Sequence, residues 1–299
     1  MNNLIEKWMK EQIKIIIEHY KLNEHFVNLF NENIKKYYLF FDSYTNNFIA
    51  NASNKTQLIH LNRKRDHSYR VTETALQIGK KLNLNYTNIV LLNLVSLFHD
   101  LGRFIQFKKY QTYDDSISKN HSILSVNVID ETGILSDFND SEIKLIKKCI
   151  LLHNEKELPK NLTEQEFLIT SILRDADKID YFKGMVDIIP NLPKDEQKVF
   201  YSNKDESNII SDNVYNKIMN KEIISNSEIK TKLDKQVRAI GFITSDINYK
   251  ESLNIILDNN YLERIYELLP KNEKVINIYN MTKSYILKQT KNKEGEDDE

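Results

Sequence analysis

A histidine and an aspartate stand side by side where an apolar stretch of the sequence ends. The stretch reads LVSLFHDLGRF from Leu94 to Phe104, and the pair is His99 and Asp100. Burying an unpaired carboxylate costs several kcal/mol or shifts its pKa until the group is neutral. A metal ion is the simplest partner that binds an imidazole and a carboxylate together. The pair therefore predicts a metal site.

Three further histidines lie on the inward-facing stripe of a predicted helix, where apolar residues recur at helical spacing: His67, His121 and His153. One such histidine is usually a hydrogen-bonded core residue, but four of them together with an aspartate are more typical of a metal cluster. The other histidines have no obvious partners and are interpreted as ordinary surface or core residues: His19, His25 and His60.

Further candidate ligands come from the segment LRDADKID, which spans residues 173–180 and contains Asp175, Asp177 and Asp180. Three acids so close together normally form a solvated helix face. Here the flanking segments, FLITSIL and IDYF, are apolar. We therefore expect at least one of the three carboxylates to point into the interior.

Helices must position these groups, because six glycines and four prolines in 299 residues are too few to punctuate many short strands. An amphipathic pattern predicts a helix around Leu4 to Ile17, and a second is predicted over 23–41. A polar connection over 42–54 and a loop over 106–118 are expected. Other helices are predicted over 66–82 with Asp66 as N-cap, 85–101, from Ser118 or Asn120 to 129, 142–153 with Ser141 as N-cap, 163–184 with a Thr163–Glu166 capping box, from 212, 227–240, 250–269 and 273–289.

This pattern predicts an all-α protein of four parts. N-terminal helices over 1–60 pack on a metal-binding core over 61–190, followed by a C-terminal helical region over 191–289 and a disordered acidic tail over 290–299. The formal net charge of −1 points to neither a nucleic-acid nor a membrane partner. No stretch reads as apolar enough to span a membrane. The single cysteine, Cys149, excludes a disulfide framework and favours a reducing cytoplasm.

Three segments in this order resemble the core motifs of the HD superfamily of metal-dependent phosphohydrolases: HSYRV from His67, HDLGR from His99 and ADK from Ala176. The resemblance covers roughly residues 66–184 and implies an HD-domain helical bundle. The final aspartate of the family commonly follows an alanine, which implies Asp177 as the last ligand. The stretch from HDLGRF to KNH is also similar to an uncharacterised bacterial branch, which implies a fold and a metal site but no known substrate.

The resemblance also implies how the ligands are shared, with Asp175 as the alternative to Asp177. One divalent ion would be held by His67, His99, Asp100 and Asp177. The extra histidines, His121 and His153, resemble the added ligands of the subset with two ions, which includes cyclic-nucleotide phosphodiesterases and HD-GYP proteins, although the GYP portion is absent here. Asp100 would bridge the two ions. Histidine and carboxylate ligands suit Mn²⁺, Fe²⁺, Ni²⁺ or Co²⁺, and Zn²⁺ or Mg²⁺ remain open.

The implied reaction is hydrolysis of a phosphoester by a metal-activated hydroxide that attacks phosphorus. Asp100 and Arg103 are the predicted catalytic residues, and Arg103 is the first candidate for a phosphate contact. Lys109 and Lys178 are weaker candidates, and for all three cations a plain salt bridge is the alternative. The expected substrate is a nucleotide or another phosphorylated small molecule.

Two rival interpretations follow from the same residues. The first is a nuclease for single-stranded nucleic acid, with a local basic rim from LNRKRDHSYR and KKYQTY. The second is a metal-stabilised module that binds a nucleotide without hydrolysing it. Tyr110 and Tyr113 in the predicted loop would stack on a base or simply close the cleft.

Overall fold

The computed structural model describes residues 24–194, 197 and 205–291 of the chain. Within these residues the chain is helical and has no strand, although an isolated bridge joins Asp205 to Thr231. The all-α class predicted from the sequence is therefore confirmed. The chain divides into two compact units, residues 1–173 and 174–299.

The described part of the first unit is a succession of helices joined by short connections. In chain order they are α1 (Glu24–Ala50), α2 (Lys55–Lys81), α3 (Tyr86–Phe98), α4 (Leu101–Tyr110), α5 (His121–Thr132), α6 (Asp140–Leu152) and the start of α7 (Glu164–Lys183). The side chains of Asn54, Asn85 and Asn120 accept backbone amides in the first turns of α2, α3 and α5. These asparagines are N-caps, which explains where the three helices begin.

Helix α3 is buried on nearly every side, because eight consecutive residues from Leu91 to Phe98 are shielded from solvent. A helix that is apolar all round belongs in a protein interior or a membrane. Together with α4, it forms a stretch over Tyr86–Tyr110 that is long and apolar enough, by length and composition, to span a membrane. The length of this apolar stretch was not recognised from the sequence, and the expectation that no segment spans a membrane stays a prediction. However, most of this stretch is buried inside the protein, as a core helix would be.

Helix α1 packs on α3 through aromatic side chains. The ring of Tyr37 meets Phe98 edge-on with 6.3 Å between centroids, and the hydroxyl of Tyr38 donates to Asn93 at 3.1 Å. Residues 34–50 thus cover the core, in the manner predicted for the N-terminal helices. The four-part division itself remains a prediction.

The polar connection predicted over residues 42–54 is wrong, since α1 continues to Ala50. The rings of Tyr44 and Phe48 both pack against the ring of Phe104, with 6.1 and 6.0 Å between centroids. They give these turns a buried face that the intervening asparagines and serine obscure in the sequence. Helix propensity and polarity are overridden here by aromatic packing.

Other boundaries also differ from the prediction. Helix α2 begins at Lys55, so Asp66 lies within the helix and does not cap it. Helix α4 continues to Tyr110, so the first part of the loop predicted over 106–118 is helical, and Gln106 and Phe107 are buried on its inner face.

Capping boxes were easier to locate. The box of Thr163 and Glu166 is confirmed, because each side chain accepts the backbone amide of the other, at 3.2 and 2.9 Å. In α6 the cap is Asn139 instead of Ser141, and Glu142 completes the box.

The second unit contains the end of α7, then α8 (Asp212–Met219), α9 (Lys232–Ser245), α10 (Lys250–Asp258), α11 (Tyr261–Glu267) and α12 (Glu273–Lys291). The helices predicted from 212 and over 273–289 are confirmed. The one predicted over 227–240 begins later, at Lys232, and the one over 250–269 is interrupted at Asn260, which has a left-handed φ of 51°. The helix predicted around Leu4 to Ile17, His19, the side chain of His25, and the acidic tail beyond Lys291 lie outside the described residues.

Candidate metal centre

His99 and Asp100 occupy the turn between α3 and α4, and both side chains are buried. His99 ends the apolar helix α3. Asp100 takes the N-cap position of α4, where its carbonyl accepts from the amide of Arg103 at 3.0 Å. Because its side chain is not used for capping, the carboxylate remains available to the interior. The junction of two helices thus delivers the pair inward.

A first ligand group consists of His67, His99 and Asp100. The Nε2 atoms of the two histidines are 3.3 Å apart. Oδ2 of Asp100 lies 3.4 Å from Nε2 of His67 and 3.5 Å from Nε2 of His99. Three potential metal ligands therefore converge on one point.

A second ligand group consists of Asp100, His121 and His153. The Nε2 atoms of its two histidines are 3.0 Å apart, and Nε2 of His121 lies 3.5 Å from Oδ1 of Asp100. The same carboxylate therefore presents one oxygen to each group. The rings of His99 and His153 meet edge to face, with 5.1 Å between centroids, so the two groups adjoin.

The protonation of the histidines fits a metal. Nδ1 of His99 lies 2.7 Å from the carbonyl of Ser96, and Nδ1 of His153 lies 2.6 Å from the carbonyl of Ile150. A carbonyl only accepts, so each Nδ1 carries the proton and each Nε2 offers its lone pair to the cluster.

The distances between these lone pairs also fit a metal. Two nitrogen ligands about 2.1 Å from one ion, at angles of about 90–110°, stand about 3.0–3.4 Å apart. The histidine nitrogens of the two groups, at 3.0 and 3.3 Å, have this separation. Lone pairs that face one another so closely repel unless a cation lies between them. The donor set therefore fits divalent ions, and the predicted histidine and aspartate ligands from His67 to His153 come together as expected.

The electrostatics keep the ligands in the form that a metal requires. Burial alone would raise the pKa of Asp100, but Lys64, His99, His67 and Arg103 around it hold that pKa well below its usual value. Burial, with Arg103 nearby, lowers the pKa of His121 to about 3. Asp100 is consequently charged and His121 neutral near neutral pH.

The sequence analysis missed two residues of this site. Lys64 places its Nζ 2.6 Å from Oδ2 of Asp100. It stands three residues before His67 on α2, so helical spacing would have found it. Asp115 accepts from Nδ1 of His121 at 2.6 Å, and its pKa falls to about 2, because hydrogen bonds and nearby cations outweigh its burial. It reaches the site through a loop, where no periodic pattern marks it.

The three cations predicted to contact phosphate, Arg103, Lys109 and Lys178, have different surroundings in the structure. Nη1 of Arg103 donates to the carbonyl of Tyr113 at 2.6 Å and to Asp115 at 3.2 Å, while its Nε lies 3.4 Å from Asp100. Lys109 is exposed at the end of α4. In the second unit, Lys178 forms an ion pair with Asp246 at 2.9 Å. Arg103 and Lys178 therefore form salt bridges in this structure, which was the alternative to a phosphate contact.

The acids of the segment LRDADKID belong to the second unit. Asp175 is fully buried and accepts from the backbone amides of Asn248 and Tyr249, at 3.0–3.1 Å, just before α10 begins. Both of its oxygens are thereby engaged. Asp177 is partly buried, and its assignment as the sixth ligand stays a prediction.

Exchanging Asp175 for asparagine is expected to weaken the fold without changing the metal content. An amide nitrogen in place of Oδ2 would face the amide hydrogen of Tyr249, so the free energy of unfolding should fall by about 1–3 kcal/mol. The matched variant Asp177→Asn should lose metal if Asp177 is the ligand that the resemblance implies. Thermal unfolding and elemental analysis of the dialysed proteins measure both effects. Loss of metal at unchanged stability in the Asp175 variant would instead make Asp175 the ligand.

Comparison with known proteins agrees with this site. Residues 65–182 match the model of the HD domain, a span that begins in α2, ends in α7 and includes every predicted metal ligand. A search of the curated proteins and a search of the solved structures find no match. The chain therefore contains an HD domain, the defining domain of a superfamily of metal-dependent phosphohydrolases. The resemblance seen in the sequence is confirmed.

Proposed function

We propose that this protein cleaves a phosphoester of a nucleotide or a similar small molecule, with two divalent ions held around Asp100. The observation that carries the proposal is the position of the Asp100 carboxylate, because its Oδ2 lies beside His67 and His99 and its Oδ1 lies beside His121. A carboxylate shared between two sets of ligands is suited to a two-metal hydrolase. The match to the HD domain supports hydrolysis as the chemistry.

The bound ions would supply Lewis acidity and lower the pKa of a water molecule, which makes it a nucleophile at neutral pH. The contribution of the chain is to hold the ligands in place and in the right protonation state. The carbonyls of Ser96 and Ile150 orient two of the imidazoles. Burial of His99, Asp100, His121 and His153 keeps bulk water away from the reacting groups.

Lys64 is the better candidate for a phosphate contact than Arg103. Its ammonium lies beside Oδ2 of Asp100, and its side chain is 23% exposed, so a substrate can reach it. A phosphoryl oxygen placed beside Asp100 would accept a hydrogen bond from this ammonium. The contacts of Arg103 with Tyr113 and Asp115 give it a different task, which is to hold the loop after α4.

The proposal includes a reducing cytoplasm as the setting of the enzyme. It rests on Cys149, which is a free and buried thiol. The proposed partner is the phosphorylated small molecule itself.

A panel of substrates tests the proposal. The purified protein is assayed with Mn²⁺, Fe²⁺, Ni²⁺, Co²⁺, Zn²⁺ or Mg²⁺ against phosphomonoesters, nucleotides, cyclic dinucleotides and single-stranded DNA and RNA. We expect hydrolysis of at least one small phosphoester that stops when the metal is chelated and returns when it is restored. Cleavage confined to nucleic acid, with salt-sensitive binding, would establish a nuclease instead. A nucleotide that binds tightly and stays intact for hours would establish a binding module.

A further inference from the structure

Asp115 joins the loop after α4 to the second ligand group. Its Oδ2 accepts from Nδ1 of His121 at 2.6 Å, and its Oδ1 lies 3.3 Å from the backbone nitrogen of the same residue. One carboxylate therefore contacts both the imidazole and the backbone amide of the first residue of α5. The contact fixes which way the imidazole faces and leaves its Nε2 lone pair turned toward Asp100.

Two residues of α4 hold this carboxylate in place. Gln106, which is fully buried, donates to Oδ1 of Asp115 at 2.7 Å and also to the hydroxyl of Ser118 and the carbonyl of Lys119, both at 2.9 Å. Nη1 of Arg103 donates to the same Oδ1 at 3.2 Å. Several hydrogen bonds thus join the loop to α4. Asp115 takes part in these bonds and in the bond to His121.

The three imidazoles with identified Nδ1 partners are held in two different ways. His99 and His153 each bond a carbonyl three residues earlier in their own helix. His121 bonds a carboxylate that comes from a loop and is 30% exposed. A carboxylate makes the opposite nitrogen a stronger donor to a metal than a carbonyl does, and the loop can move independently of a helix.

We propose that Asp115 is a positioning residue that sets the affinity of the second ligand group for its divalent ion. This inference rests on the two-ion site of the proposed function. It predicts that the chain without this carboxylate still binds an ion at the first ligand group, where His67 and His99 lie beside each other and beside Oδ2 of Asp100. The affinity for the second ion then depends on whether the loop over residues 111–120 keeps this conformation.

The test compares Asp115→Asn with Asp114→Asn in the full-length protein. Asp114 is the adjacent acid, and its carboxylate accepts from the amide and hydroxyl of Ser116 within its own turn. Calorimetric titration of metal-free protein with Mn²⁺ gives the number of ions and their affinities. We expect the second ion to bind about 10–100-fold more weakly in the Asp115 variant. The first ion and the Asp114 variant should match the wild type.

Further variants separate the possible causes. His121→Ala serves as the reference for complete loss of the second ion. If Asp115→Asn fails to fold, as judged by circular dichroism, Gln106→Met removes donors that hold the loop and must itself weaken only the second ion. Two ions bound with wild-type affinities in a folded Asp115 variant would overturn the inference and leave the proposed function standing. A wild-type protein that binds a single ion would overturn both.

Discussion

Replacing Asp100 with alanine is expected to abolish binding of divalent metal at both ligand groups and, with it, all hydrolysis. The carboxylate is the one ligand that the two groups share, with Oδ2 beside His67 and His99 and Oδ1 beside His121. Its removal leaves each group with two imidazoles and takes away the carboxylate that the two groups share. A pair of neutral nitrogen ligands binds divalent ions far less well than a set completed by carboxylate.

The same change also has a cost in stability. Asp100 compensates the ammonium of Lys64 at 2.6 Å and lies 3.4 Å from Nε of Arg103. Removing one partner of a buried ion pair is destabilising by about 3–5 kcal/mol, because the other charge is left uncompensated. The measurement therefore pairs elemental analysis and activity with thermal unfolding, and Asp100→Asn serves as the variant of similar shape.

A comparison among ligands sharpens this prediction. His153→Ala should remove one ion and leave the first ligand group intact, whereas Asp100→Ala should remove both. Full hydrolysis by a metal-free Asp100 variant would falsify the assignment of Asp100. Equal metal loss in the two variants would show that the groups do not bind independently.

The sequence was sufficient to single out the candidate ligands because they follow a helical pattern. His67, His121 and His153 recur with apolar residues at helical spacing, and the structure places all three in the two groups with His99 and Asp100. A polar residue on an apolar stripe is visible without coordinates. The length of the helices was less predictable, since Tyr44 and Phe48 extend α1 through a segment that is polar by composition.

The residues around the ligands could not be found in the same way. Asp115 and Arg103 act through a loop, and the contacts that define them depend on how residues 111–120 close on α4. No periodicity governs such a segment. The sequence placed Arg103 against a phosphate because of its neighbours in the chain, whereas the structure directs its Nη1 to Tyr113, Gln106 and Asp115.

Gly102 shows the same limit, because the sequence reveals a glycine after the His-Asp pair and not the reason for it. A Cβ at this position would overlap the carbonyl oxygen of His121 and would stand 2.6 Å from both Cβ of Leu124 and the backbone nitrogen of Ser125. The amide of Gly102 also donates to the hydroxyl of Ser125 at 2.8 Å. Helices α4 and α5 thus approach closely at the point where each delivers a ligand.

Gly102→Ala is therefore expected to have one of the largest effects of any single substitution in this chain. Two of the three atoms that the new methyl group would meet belong to the backbone of α5, so no side-chain rotation relieves the overlap. Overpacking of this kind costs about 1–3 kcal/mol and occasionally more. Because α5 must shift, His121 moves away from Asp100, and the second ligand group should lose affinity together with stability.

Gly184→Ala is the matched control, since a Cβ there meets nothing within 4 Å. Its free energy of unfolding should not fall, because alanine is a better helix former than glycine where nothing obstructs the methyl group. Thermal unfolding and Mn²⁺ titration of both variants measure the difference. If Gly102→Ala kept wild-type stability and bound two ions, the close approach of α4 and α5 would not be what fixes His121. The hydrogen bond between Asp115 and His121 would then be the contact that positions this ligand.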